Sequence, residues 1–185
     1  KKLEKYFNVK FCATCSSGTA ALHIAFKAAD IKPGDKIIIP SINFIASYNL
    51  LTSLGAKVYL SDIDPLTGQM SPKNFIQCIK KNKIKNLKAV VLMYLGGVPN
   101  YIEEFYKLKL KRKFLIIEDA CHAFGSSYIY NNIKNRIGSA KHSDICTFSM
   151  HPLKSITTGE GGIVCTNKKK YFEKIKLLRS HGMKK

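Results

Sequence analysis

The 185-residue sequence predicts an α/β fold with a mostly parallel central sheet, contained in one domain. Three observations support this prediction. Short apolar segments alternate along the chain with amphipathic segments of helical period, which is the order found in βαβ units. Some short segments are apolar at every position, as strands covered on both faces are. Apolar residues make up 45% of the chain, which is enough to build a packed core.

The predicted strands are short apolar runs bounded by turn residues. The second strand, for example, lies between the turn at 32–35 and Pro40, which cannot continue a central strand. The fourth is apolar on both faces, as a central parallel strand would be. In chain order the predicted strands are 9–13, 36–39, 57–60, 89–94, 114–117, 145–149 and 162–166. Residues 126–142 are rich in Asn and Lys and predict a polar excursion, with a hairpin as one form of it.

The predicted helices are recognised by apolar stripes and by capping residues. In the first helix, apolar side chains from Ala21 to Phe26 fall on one stripe. Gly55 is a C-terminal cap for the second helix. Ser71 and Pro72 suit the N-cap and first turn of the third. In chain order the predicted helices are 18–29, 44–54, one that opens at 71–72, 102–111 and 169–179.

The net charge of +19 does not by itself identify a binding partner. A surplus of this size is typical of proteins that bind nucleic acid or an anionic membrane. However, the basic residues are 28 Lys and 3 Arg, scattered over all the predicted helices, whereas nucleic-acid readers rely on Arg. The pattern therefore favours solvated helix faces over a nucleic-acid interface. The longest apolar run, 89–98, is too short to span a bilayer, so we expect neither nucleic acid nor membrane as a partner.

The six cysteines favour a reducing cytoplasm. Four of them lie among apolar residues, as buried and reduced thiols do: Cys78, Cys121, Cys146 and Cys165. Cys12 and Cys15 have C-x-x-C spacing, which fits either a redox pair or half of a zinc site. No second pair completes a metal site, so no metal is predicted.

Candidate functional residues follow the predicted strands directly. Ligands of open α/β sheets gather at the carboxyl ends of the strands, which directs attention to four segments. These segments are 16–19, 41–44, 118–122 and 149–154. In the first, Gly18 and Thr19 open a helix and predict a phosphate cradle, with an ordinary N-cap as the alternative.

The other segments carry groups suited to an aldehyde cofactor. Asp119 can hold a protonated ring nitrogen and His122 can stack on a ring, although a solvated turn is an equally good interpretation of either residue alone. Lys154 follows a buried strand and precedes a glycine-rich segment, where an amine can form a Schiff base. A surface lysine is the alternative. The prediction depends on the whole set: cradle, aromatic Phe44, Asp119 and Lys154, each at a strand end.

The same segments resemble those of a known family. The resemblance lies in Ser17-Gly-Thr-Ala-Ala-Leu, Pro40-Ser-Ile-Asn-Phe-Ile-Ala-Ser, Asp62-Ile-Asp-Pro, Glu118-Asp-Ala-Cys-His, Phe148-Ser-Met-His-Pro-Leu-Lys, Gly159-Glu-Gly-Gly and Leu178-Arg-Ser-His-Gly. In this order they resemble the DegT/DnrJ/EryC1/StrS family of pyridoxal-phosphate-dependent aminotransferases, which act on nucleotide-linked keto-sugars. The stretch 151–162 is most similar to the branch that makes the 4-amino precursor of pseudaminic acid. The resemblance implies a fold-type-I large domain, an α/β/α sandwich.

The resemblance also implies a role for each matching residue. Lys154 would carry the cofactor as a Schiff base and shuttle the proton, and Asp119 would pair with the pyridinium nitrogen. Phe44 and His122 would sandwich the ring. Gly18, Thr19 and Ser149 would hold the phosphate. The implied amino donor is glutamate, the acceptor is a UDP- or dTDP-linked 4-keto-6-deoxy-hexose, and the enzyme is a homodimer.

The chain departs from the family pattern in a few places. Asn43 stands where the family commonly has Thr, and 126–142 is longer than usual. Family members have several dozen residues before position 1 and a smaller domain after position 185, so 1–185 is expected to be an incomplete large domain. Sugar-dehydrating relatives have His in place of the Schiff-base lysine, whereas this chain keeps Lys154. The alternative function is a regulatory or non-catalytic homologue that binds pyridoxal phosphate.

Overall fold

The chain folds around one seven-stranded sheet with helices on both faces. The structure is a computed structural model that describes residues 1–183. The helices are α1 Lys2–Phe7, α2 Gly18–Ala28, α3 Ala46–Ser53, α4 Pro72–Lys81, α5 Ile102–Arg112 and α6 Lys169–Arg179. The strands are β1 Phe11–Cys15, β2 Lys36–Pro40, β3 Lys57–Ser61, β4 Leu87–Met93, β5 Leu115–Asp119, β6 Ser127–Tyr130, β7 Ile133–Arg136, β8 Ile145–Ser149 and β9 Gly162–Thr166.

The sheet is mostly parallel, as predicted. Its strand order is β1-β9-β8-β5-β4-β2-β3. Four of the neighbouring pairs are parallel, and β9 alone runs against its neighbours β8 and β1. The carboxyl ends of the other strands therefore meet at one edge of the sheet, together with the beginning of β9. This edge is where ligand sites of open α/β sheets form.

Two apolar clusters cover the two faces of the sheet. On one face, Phe7, Phe75 and Phe105 bring α1, α4 and α5 onto the sheet. On the other, Phe26 of α2 and Ile175 of α6 are completely buried, and Leu51 of α3 joins them. The phenyl and alkyl groups removed from water here supply the main driving force for folding. The predicted α/β/α sandwich is confirmed.

Several element boundaries differ from the prediction. The first strand lies at 11–15 rather than 9–13, and the preceding helix α1 was not predicted. The helix predicted from Phe44 begins at Ala46, which leaves Phe44 in a loop. Strand β5 extends through Asp119 instead of ending at Ile117. Residues 127–136 form the antiparallel hairpin β6–β7 that was one form of the predicted excursion.

The C-x-x-C pair does not form a site. Cys12 and Cys15 are three residues apart on strand β1, so their side chains point to opposite faces of the sheet. The Sγ atom of Cys12 lies 3.6 Å from that of Cys165, whereas the Cys15 thiol donates to the Ser17 carbonyl. Residues 1–183 contain no group of three His, Cys, Asp or Glu side chains arranged to hold a metal ion. Among the described helices, none has the length and apolar character needed to cross a membrane.

Candidate active site

A cavity of about 650 Å³ opens at the edge of the sheet where the parallel strands end. It is bounded by the loops after β1, β2, β4, β5 and β8. All the predicted site residues line it: Gly18, Thr19, Phe44, Asp119, His122, Ser149 and Lys154. These residues lie far apart in the chain, and the parallel arrangement of the strands brings them together.

The N-terminus of α2 forms one end of the cavity. Ser17 is the N-cap, and its Oγ accepts a hydrogen bond from the backbone N–H of Ala20 at 3.1 Å. The N–H groups of Gly18 and Thr19 come earlier in the first turn, where a helix offers no acceptor. Thr19 is exposed in the cavity and adds a hydroxyl. These donors and the helix dipole suit an anionic group such as phosphate.

Gly18 is needed for the close approach of α2 to the end of β8. A Cβ atom at position 18 would lie 2.7 Å from the Ser149 Cβ and 3.2 Å from the Cys121 Sγ. Both distances are shorter than a normal van der Waals contact. The absence of a side chain at Gly18 therefore lets the Ser149 hydroxyl reach the same end of the cavity as the helix N-terminus.

Gly18→Ala is accordingly expected to destabilise the protein by about 1–2 kcal/mol, because overpacking outweighs the better helix propensity of alanine. Urea unfolding of the full-length protein measures the loss. The matched control introduces Gly18→Ala into a Ser149→Gly variant, which lacks the opposing Cβ. In that background Gly18→Ala should cost much less stability than it does in the wild-type protein. If the loss were the same with and without the Ser149 Cβ, the contact would not be its cause.

Asp119 is the only carboxylate of its segment that faces the cavity. It ends β5 with 2% of its surface exposed, and its Oδ1 accepts a hydrogen bond from the Cys121 N–H at 3.2 Å. Burial raises the pKa of Asp119 above its ordinary value, and Cys121, His122 and Lys154 partly oppose this effect. A buried carboxylate without a full ionic partner suits a cationic group such as a protonated ring nitrogen.

Glu118, which the sequence grouped with Asp119, has a different environment. Adjacent residues of a strand point to opposite faces, so Glu118 lies inside the core. Its Oε1 accepts a hydrogen bond from the Tyr94 hydroxyl at 2.8 Å, and only 3% of the residue is exposed. Glu118 is not among the residues that line the cavity. The structure thus separates the two carboxylates into a site residue and a core residue.

Phe44 and His122 provide two rings at the cavity wall. Phe44 precedes α3 and is 67% exposed, so most of its face is open to the cavity mouth. His122 lies on the turn after β5. Burial and the nearby charge of Lys154 lower the pKa of His122, against a smaller opposite effect of Asp119. A neutral imidazole can stack on an aromatic ring without competing for the carboxylate.

Lys154 lies at the end of a turn that follows β8, half-buried at the cavity wall. Its charge acts on the titration of Asp119, Cys121 and His122, which are all in the same cavity. Lys154 and Asp119 thus line one cavity, as an amine and a ring-nitrogen partner that serve the same cofactor must.

Sequence reasoning missed several residues of the cavity wall. Met93 ends β4 and Leu95 follows it, and this carboxyl end was not among the segments considered. Cys121 was predicted to be a core thiol but lines the cavity, and burial raises its pKa. His151 and Glu160 stood in the motifs compared with the family, yet no role was assigned to them. The available signal was their spacing, because His151 lies two residues after Ser149 and Glu160 lies six residues after Lys154.

Comparison with known proteins gives consistent matches. A model of the DegT/DnrJ/EryC1/StrS aminotransferase family matches residues 1–185. A GDP-perosamine synthase of Escherichia coli O157:H7 is 36% identical over 183 residues, which are 98% of this chain and 47% of that protein. The chain thus spans about half the length of the curated relatives it matches.

Solved structures of similar fold agree with these matches. Helicobacter pylori PseC, an aminotransferase involved in the biosynthesis of pseudoaminic acid, has a TM-score of 0.87 and 31% identity, covering 100% of this chain and 47% of PseC. NtdA from Bacillus subtilis, with bound cofactor PMP, has a TM-score of 0.83 and 26% identity, covering 95% of this chain and 37% of NtdA.

Proposed function

The chain belongs to the DegT/DnrJ/EryC1/StrS aminotransferase family, and from this premise we propose that it binds pyridoxal phosphate and transfers an amino group to a nucleotide-linked keto-sugar. The observation that carries the proposal is the cavity itself. One cavity holds a helix N-terminus suited to phosphate, a buried carboxylate suited to a ring nitrogen, and an amine suited to an aldehyde. These are the protein groups that this cofactor requires.

Each residue has a defined task in the proposal. When bound, pyridoxal phosphate supplies an aldehyde for the lysine amine and a ring that takes up carbanion charge. Lys154 would hold the cofactor through Nζ and would move the substrate proton with the same atom once the amino donor has replaced it. Asp119 would accept a hydrogen bond from the ring N–H and keep that nitrogen protonated. Gly18, Thr19 and Ser149 would bind the phosphate, and Phe44 and His122 would flank the ring.

We further propose glutamate as the amino donor and a UDP- or dTDP-linked 4-keto-6-deoxy-hexose as the acceptor. Glutamate would leave as 2-oxoglutarate, and the sugar ketone would become an amine, so the exchange needs no external oxidant or reductant. The names of the E. coli and H. pylori relatives support an amino-sugar product. The net charge of +19 would attract anionic cofactor and substrate alike.

The assembly and location are part of the same proposal. We propose that 1–185 is the cofactor-binding large domain of a longer, cytoplasmic protein that works as a homodimer. Large apolar side chains are exposed beside the cavity, with Ile45 at 57% and Leu153 at 88% exposure. Such a patch is typical of a surface that another subunit covers. Buried thiols at Cys78, Cys146 and Cys165 are consistent with a reducing compartment.

The test is a pair of half-reactions with the full-length protein. Glutamate should convert the bound pyridoxal phosphate to its amine form, seen by absorbance, and release 2-oxoglutarate. A nucleotide-linked keto-sugar should then restore the starting spectrum and yield an amino-sugar, seen by mass spectrometry. Cofactor binding without either conversion, across a panel of amino acids and keto-sugars, would instead support the regulatory homologue.

A further inference from the structure

The turn that carries Lys154 is closed by the ring of His151. The Lys154 N–H donates to the His151 carbonyl at 2.9 Å, which makes 151–154 a four-residue β-turn. Pro152 occupies the second position, where its restricted φ is favoured. A second bond runs from the Leu153 N–H to the Nδ1 atom of His151 at 3.2 Å. Asn and Asp side chains make this kind of contact in Asx-turns, and here an imidazole makes it.

The other ring nitrogen of His151 faces a carboxylate. Because Nδ1 accepts a hydrogen bond, the proton of the neutral ring lies on Nε2. Nε2 lies 3.8 Å from the Glu160 Oε1, and the two side chains are 44% and 64% exposed. A pair this distant and exposed adds little stability. The bond that defines the ring's orientation is therefore the one that Nδ1 accepts from the Leu153 N–H.

The base of the turn is held by backbone contacts, but its tip is not packed. Met150, just before the turn, donates to the Gly161 carbonyl at 2.8 Å and accepts from the Thr158 N–H at 3.1 Å. By contrast, Leu153 at the tip is 88% exposed. Within a single chain, the direction in which the turn presents Lys154 therefore depends on hydrogen bonds within the turn, and a second subunit that covers Leu153 would add its packing to them.

We propose that His151 is a positioning residue for Lys154. Through Nδ1 it closes the turn and so directs the Lys154 amine toward the end of the cavity that contains Asp119. The inference rests on the proposed role of Lys154 and deepens it. Small displacements of a reacting group are costly in rate, so loss of the ring should slow every step in which the amine reacts. Because Nδ1 is already occupied by the Leu153 N–H, we expect binding of the sugar to be unaffected.

The test compares side chains that keep or lose the acceptor next to the backbone. His151→Asn places an amide oxygen where it can accept from the Leu153 N–H, as in an Asx-turn, whereas His151→Gln and His151→Ala cannot reproduce this bond. The full-length apoprotein of each variant is mixed with pyridoxal phosphate and trapped with borohydride at successive times. Peptide mass spectrometry then gives the rate of labelling at Lys154, with the other lysines as internal references.

We expect His151→Ala and His151→Gln to slow labelling of Lys154 by about tenfold and His151→Asn by about twofold or less, the range expected for losing and keeping one hydrogen bond. The KM for the keto-sugar should be unchanged in all three. His23→Asn, at an exposed position of α2, is the matched control and should label at the normal rate. Because the Asn and Gln variants differ by one methylene, the ratio of their labelling rates at Lys154 tests the proposal even if the Ala variant unfolds.

Three results would overturn the inference. Equal labelling rates in the Asn and Gln variants would exclude a role for the turn-closing acceptor. A raised KM with a normal labelling rate would make His151 a substrate contact instead. Normal labelling in every variant would leave His151 without a role in positioning. Failure of the wild-type protein to label at Lys154 has a different meaning, because it contradicts the proposed function itself.

Discussion

Lys154→Ala is expected to lower turnover by about 10³-fold or more, because the variant loses both the covalent anchor and the proton carrier. The same variant should still bind pyridoxal phosphate, since the phosphate and ring contacts are made by other residues. Steady-state kinetics and reductive trapping of the full-length protein measure the two effects. Trapping should yield no modified peptide that contains position 154.

Two controls accompany this prediction, one at position 154 and one at another of the 28 lysines of the chain. Lys154→Arg keeps the positive charge but cannot bind an aldehyde, so it should be as inactive as the alanine variant. Lys169→Ala, at an exposed position in the first turn of α6, should keep normal turnover. Full turnover in Lys154→Ala would show that the central residue of the proposal is wrong.

Asp119→Asn is expected to lower turnover by about 10²–10³-fold, the usual cost of removing one electrostatic partner of a developing charge. The amide is close in size to the carboxylate but cannot keep a ring nitrogen protonated. Glu118→Gln is a demanding control, because Glu118 is adjacent in β5 and equally buried but faces the core. It should change stability and leave most of the turnover. Similar losses in both variants would point to a general effect on β5.

Asp119→Asn should also stabilise the cofactor-free protein at neutral pH. Burial raises the pKa of Asp119 in the folded state above its ordinary value of 3.8. Between the unfolded and folded pKa values the native state binds more protons, so the contribution of Asp119 to stability falls as the pH rises through that window. Asparagine carries no charge. The gain in unfolding free energy of Asp119→Asn over the wild type should therefore be complete at pH values above the folded pKa of Asp119 and should vanish below the unfolded pKa. Urea unfolding of apoprotein at several pH values measures this difference.

Much of the fold could be predicted because local patterns were clear. Strands β8 and β9 and helix α6 lie at their predicted positions, since each is a regular segment bounded by turn residues. Helix α1 was missed because it has only six residues and its N-cap makes no side-chain hydrogen bond. The prediction of β1 began two residues early because Val9 is apolar and was counted as part of the strand. Val9 is buried in the apolar cluster that contains Phe7, whereas pairing with β9 begins at Phe11.

By itself the sequence determined which residues stand at strand ends, and therefore that Gly18, Thr19, Phe44, Asp119, His122, Ser149 and Lys154 belong near one another. A parallel sheet gathers the residues after its strands at one edge, so order along the chain was sufficient. Only the tertiary structure decided which side chains enter the cavity. Alternation along β5 sends Asp119 to the cavity and Glu118 to the core, and the turn after β8 brings the His151 ring back onto its own backbone. These outcomes depend on strand register, on the helices that cover each face of the sheet and on hydrogen bonds that form only in the folded chain. The spacing of residues along the sequence does not specify any of them.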